Sequence, residues 1–203
     1  MCIRDRGCTQ GFLKGGDSAS IPVLCVFDSE EVGSVSPQGA GSSLLEDTLG
    51  RICDGLKLNR GRMLAQSFLV SADNAHAVHP NHPEYADPGN APVMGGGLVI
   101  KYNANLSYCT DSVSAAVFRK ICGRAGVKVQ TYHNRADLPG GSTLGRISLA
   151  HVSVPTVDIG LAQLAMHSCY ETAAVSDAID LETAMAAYYG STLEATESGF
   201  SIL

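Results

Sequence analysis

Five short apolar runs recur along the chain: Ile21 to Phe27, Phe68 to Ala72, Leu98 to Tyr102, Val127 to Tyr132 and Val152 to Ile159. Runs of this length, bounded by turn residues, read as buried strands. Helical spacing fills much of the sequence between them. Ser42 or Ser43 caps a predicted helix to about Leu56, where Leu44, Leu45, Thr48, Leu49 and Ile52 share a face. Asp111 or Ser112 caps another, carrying Val113, Val117, Ile121 and Cys122; a short helix covers Leu144 to Ala150, and a last one Asp177 to Tyr189. Strands alternating with helices bury both faces of a sheet. The expected fold is therefore an α/β three-layer sandwich with a largely parallel central sheet.

The 203 residues are 45% hydrophobic and 17% charged, enough apolar material for one domain with a sizeable core. A formal net charge of -6 with scattered basic residues argues against nucleic acid, which needs a clustered positive surface. No apolar run approaches the roughly 18 residues of a membrane span, and the start lacks a signal-peptide core. A cytoplasmic protein without a membrane partner is expected. Seven cysteines without close pairs indicate neither a disulfide framework nor a cysteine zinc site. Residues 1–16 show no apolar periodicity, and Met-Cys-Ile-Arg-Asp-Arg resembles read-through of sequencing adapter, so a non-native or disordered start is expected there. Residues 17–190 form the expected domain and 191–203 a frayed tail.

Glu30, Glu31, Asp73 and His167 each follow a predicted strand, where sheet topology can gather residues distant in sequence. On a turning backbone the neighbours Glu30 and Glu31 diverge, so one can hold a cation while the other faces a substrate. Carboxylates with one histidine are a donor set for a divalent ion, above all zinc. Each residue also has a plainer reading: a solvated acidic turn around Asp28, a turn-forming Asp73, a hydrogen-bonding His167, a surface Lys101.

Five motifs occur in order: Asp28-Ser-Glu-Glu-Val-Gly-Ser34, Ser71-Ala-Asp-Asn-Ala-His-Ala-Val-His-Pro-Asn81, Val99-Ile-Lys-Tyr-Asn103, Gly140-Gly-Ser-Thr-Leu-Gly145 and Gln163-Leu-Ala-Met-His-Ser168. Together they resemble the aspartyl aminopeptidases, over most of the chain from Ile21 to about Tyr189. The resemblance implies a phosphorylase/hydrolase-like zinc exopeptidase fold, two zinc ions per complete site, and peptide substrates with an acidic amino terminus. It also implies a homo-oligomer. Carried over by residue, it makes Glu30 the general base and Glu31, Asp73 and His167 zinc ligands. Lys101, with Tyr108, would receive the substrate's side-chain carboxylate. His79 would donate to the oxyanion, His76 would support the loop, and Gly141 and Ser142, with Gly140 and Thr143, would approach the substrate amine.

Two zinc ligands of the family, a histidine and the aspartate bridging both metals, have no counterpart. Asp5, Asp17 and Asp28 are the acids upstream of Glu30, and none sits in a matching context. The chain is accordingly expected to be the carboxyl-terminal half of a peptidase domain, without the inserted dimerisation domain, and to bind metal poorly. A preference for neutral amino termini, or a non-catalytic binding role on the same fold, are the alternatives.

Overall fold

The structure, a computed structural model, describes residues 2–203. Helices are α1 (Cys2–Lys14), α2 (Leu44–Leu56), α3 (Arg60–Ala65), α4 (Ser112–Arg124), α5 (Leu144–Leu149) and α6 (Val175–Tyr189). Strands are β1 (Leu69–Ala72), β2 (Ala75–His76), β3 (Leu98–Tyr102), β4 (Val129–His133), β5 (Thr156–Gly160), β6 (Ala162–Leu164), β7 (Thr172–Ala173), β8 (Leu193–Thr196) and β9 (Gly199–Ile202).

The main sheet has the order β1-β5-β3-β4. β1 pairs parallel with β5 and β3 parallel with β4, whereas β3 and β5 are antiparallel. This is the α/β sandwich with a mostly parallel sheet that the alternating pattern specifies. β5 is buried along its whole length. Its Val157 and Ile159 join Leu98 and Ile100 of β3 against Cys8, Phe118, Cys122, Leu181 and Met185, from α1, α4 and α6. Side chains alternate across a strand, so Val99 and Lys101, Ser71, Thr156 and Asp158 belong to the opposite face. There Val99 packs with Ala75 and Ala162 of the smaller sheet β2-β6-β7.

Asp111 caps α4 with a reciprocal box: its side chain accepts from the Ser114 N–H at 2.7 Å, and Ser114 Oγ accepts from the Asp111 N–H. Ser43 precedes α2 and turns its hydroxyl to Asp47.

Three segments differ from the sequence expectation. Residues 21–27 form no strand and join no sheet. Their apolar pattern demands contact, which Cys25 and Phe27 find beside Leu45, Val152 and Val154. It does not supply the backbone partner that makes a strand. An apolar cavity of about 760 Å³, lined by both this segment and β1, occupies that place. The tail is a β8-β9 hairpin in place of a frayed end.

At the start, α1 replaces the expected disorder, because its packing uses absence of side chain instead of an apolar stripe. Gly7, Gly11 and Gly15 recur every fourth residue against α6. A Cβ on Gly11 would lie 2.4 Å from Met185 Cβ, and one on Gly15 2.6 Å from Tyr189 Cβ. A periodicity search for apolar residues misses such a face, whereas Gly-xxx-Gly-xxx-Gly spacing reveals it.

Gly11→Ala should therefore destabilise the chain by about 1–3 kcal/mol in urea titration, as overpacking does. Gly50→Ala, inside α2 with open space where the Cβ would go, should stabilise it by about 0.5–1 kcal/mol through helix propensity alone. Equal effects at the two sites would disprove the close packing of α1 on α6.

Candidate functional site

Beyond β1 the chain follows β5 and β6. The Asp73 N–H donates to Ile159 O at 2.8 Å and the Ala75 N–H to Leu161 O at 2.9 Å. Only glycine is tolerated at position 160, since a Cβ would sit 1.8 Å from Asp73 O. Asp73 is thus fixed by backbone, and its carboxylate stands at the end of the sheet.

Glu30 and Glu31 lie in a single 3-10 turn, Glu30–Val32, entered by Ser29 at φ 62° and left by Gly33 at φ 100°. Gly33 suits that left-handed conformation and Ser29 adopts it under strain. His167 follows β6 and itself has φ 66°, an unfavourable value for a side-chain-bearing residue. Its N–H donates to Glu171 Oε1 at 2.8 Å, and its Nδ1 lies 2.6 Å from Glu31 Oε2. Distant turns have been aimed at one another.

Both chains of contact meet in a cavity of about 100 Å³. It is lined by Glu30, Glu31, Asp73, His76, Lys101, Tyr108, Gly141, Ser142, Thr143 and His167. Of the residues singled out in the sequence for the site, His79 and Gly140 do not line it. β2 pairs His76 with Gln163 and keeps it at the cavity. The chain then turns away, and the His79 ring lies tilted beside that of His82, with its Nδ1 accepting from the Asn81 N–H at 3.2 Å.

Lys101 is almost wholly buried, at 1% exposure. A buried ammonium needs partners; it donates to Asn74 O at 3.2 Å, approaches Asp73 Oδ2 at 3.5 Å and lies 5.0 Å above the Tyr108 ring. Asn74 is tied to Gln163 by its side-chain amide. Tyr108 donates to Asn134 Oδ1 at 3.2 Å.

Two residues that the motifs leave aside matter here. Asp158 of β5 is fully buried and accepts from Ser71 Oγ at 2.6 Å, Thr143 Oγ1 at 2.8 Å and the Cys109 N–H at 2.5 Å. It holds the loops that carry Tyr108 and Ser142. Its place in Thr156-Val-Asp-Ile-Gly160, on the strand face opposite Val157 and Ile159, was the signal available in the sequence. Arg4 of α1, 6% exposed, donates from Nη1 to Asp73 Oδ1 at 2.6 Å. No sequence pattern announces that contact.

Glu31 and His167 offer the oxygen and nitrogen donors that zinc takes, but a zinc centre needs three or four protein ligands. Among the described residues no group of three His, Cys, Asp or Glu is gathered to hold a metal ion. Asp73 is directed to Arg4 and Lys101. These residues by themselves do not compose a complete zinc site.

A profile of the family described as aminopeptidase I zinc metalloprotease (M18) matches residues 12–189. The chain is 46% identical over 183 residues to a probable M18 family aminopeptidase 2 of Mycobacterium tuberculosis, covering 87% of this chain and 42% of that protein. A probable aspartyl aminopeptidase of Ricinus communis is 45% identical over 165 residues, covering 79% of this chain and 33% of the relative. The cryo-EM structure of the Ape4 and Nbr1 complex matches with a TM-score of 0.84 at 34% identity, over 93% of this chain and 38% of that one. The chain spans less than half the length of each relative.

Burial, then the neighbouring Asp73 and Glu31 charges, raise the Glu30 carboxyl above its ordinary value of 4.5. The folded state thus favours the protonated form. Glu30 costs no stability below 4.5, and the cost grows as pH rises through that value toward the higher folded one. Glu30→Gln should therefore raise the thermal unfolding midpoint of the chelator-treated chain near neutral pH. The gain should vanish in acid below 4.5, which differential scanning calorimetry across pH checks.

Proposed function

Because the chain belongs to the aminopeptidase I zinc metalloprotease (M18) family, we propose that the protein it forms part of is a zinc aminopeptidase removing amino-terminal Asp or Glu from peptides. The observation that carries this reading is the meeting of Glu30, Glu31, Asp73 and His167 in one cavity with Lys101 in its wall. Residues 17–190 act as the carboxyl-terminal part of the catalytic domain.

Glu31, Asp73 and His167 would be the residues of this part that hold metal, and two zinc ions would need further ligands from elsewhere in the protein. Zinc held there would supply Lewis acidity toward the scissile carbonyl. Glu30, whose raised carboxyl favours proton uptake, accepts a proton from the attacking water and returns it to the leaving amine. His76, at the cavity, is better placed than His79 to donate to the oxyanion. Lys101, seated on Tyr108, meets the substrate's side-chain carboxylate as an ion pair. The loop at Gly141 and Ser142 faces the amine end of the peptide.

Acidic preference draws support from the Ricinus communis relative, whose name is probable aspartyl aminopeptidase, and from the burial of a lysine beside the proposed catalytic carboxylates. No helix among the described residues is long and apolar enough to cross a membrane. The proposed setting is the cytoplasm, and the proposed assembly of the whole protein a homo-oligomer.

The 203-residue chain alone should release little or no product from aspartyl-, glutamyl- or leucyl-anilides with zinc present; brisk turnover would overturn its incompleteness. In the whole protein, Glu30→Gln should lower kcat by about 10²–10⁴-fold, the worth of a general base, with zinc content retained. Lys101→Ala should lower kcat/KM for aspartyl and glutamyl substrates and spare leucyl ones. Equal loss on all three would refute its role in specificity.

A further inference from the structure

We propose that in this chain the Arg4 guanidinium takes the cation position at Asp73 and keeps a metal ion from that carboxylate, an inference that rests on reading Asp73 as a metal ligand. Each guanidinium nitrogen is engaged. Nη1 donates to Asp73 Oδ1 at 2.6 Å, while Nε and Nη2 each lie 3.1 Å from Asp5 Oδ1. Asp73 Oδ1 also accepts from the Asn74 N–H at 2.8 Å, and Oδ2 faces Lys101. Zinc must approach a carboxylate oxygen to about 2.0–2.2 Å, and these donors crowd that approach.

Charge balance gives the reason for the arrangement. Glu30, Glu31 and Asp73 line one cavity, and their carboxylates repel one another where burial weakens solvent screening. A divalent cation would offset them; Arg4 and Lys101 do so here with two single charges. Arg4 is not a wandering surface side chain. Its helix is seated on α6 by the approach of Gly7, Gly11 and Gly15, and Cys8, one turn on, is part of the main core. Withdrawing the guanidinium would therefore strain a packed interface or leave a buried charge unpaired. Metal binding at Asp73 has to bear that cost.

Zinc titration of the purified 203-residue chain, by competition with a chromophoric chelator, tests this. Arg4→Gln should bind zinc at least about tenfold more tightly than the parent, the scale of a charge-assisted hydrogen bond removed from the competition. Asp73→Asn in the same background should abolish the gain. Arg4→Lys, which keeps the charge but gives up the fork, should show a smaller gain, and serves if circular dichroism shows that Arg4→Gln has lost its fold. If removing the fork brings no gain while Asp73→Asn weakens binding by the parent, Asp73 takes metal with Arg4 in place and the proposal is overturned alone. If zinc affinity is indifferent to Asp73→Asn in every background, the reading of Asp73 as a ligand falls, and the proposal with it.

Discussion

A carboxylate at zero exposure in the central strand must be given donors, and Asp158 imposes that demand on three separate parts of the chain. Ser71 answers from β1, Thr143 from the start of α5, and the Cys109 N–H from the loop after β3. Leaving any of these unmade would cost about 1–3 kcal/mol or more for a charged group. The loops bearing Tyr108 and Ser142 are thereby pinned to the sheet on the face that carries Lys101. The cavity has firm walls because a buried charge in its foundation has to be satisfied.

The second constraint is electrostatic and lies at the sheet's end. Glu30, Glu31, Asp73 and His167 are brought close by two tight turns and by the path of residues 73–77 along β5 and β6. Left-handed backbone at Ser29 and His167 shows that the turns are held against local preference. Carboxylates grouped in this way repel one another and require compensation. Arg4 and Lys101 provide it at Asp73, while burial first, and then the Asp73 and Glu31 charges, raise the proton affinity of Glu30.

Much of this was legible in advance. The strand at Leu98 to Tyr102, the Asp111 cap, and the helices beginning at Leu44 and Leu144 follow from spacing and capping chemistry that act within a few residues. Parity within Val99-Ile-Lys101 already sets the lysine on the face away from Ile100. Residues 21–27 and α1 were not legible, for opposite reasons. The first has the composition of a strand but no ladder beside it; the second lacks an apolar stripe because its contact surface is made of glycines.

The alternation of elements, hence the α/β sandwich, and membership of the metalloprotease family through motifs that keep their order can be read along the chain without its fold. Tertiary structure alone decided which charges face one another. It brought Glu31 to His167 across the chain, moved His79 out of the cavity while retaining His76, and aimed Arg4 at Asp73. Spacing rules reach a few residues along a backbone, whereas an ion pair is set by where packed helices and paired strands bring distant residues. Sixty-nine positions separate Arg4 from Asp73, and only the close seating of α1 on α6 makes them neighbours.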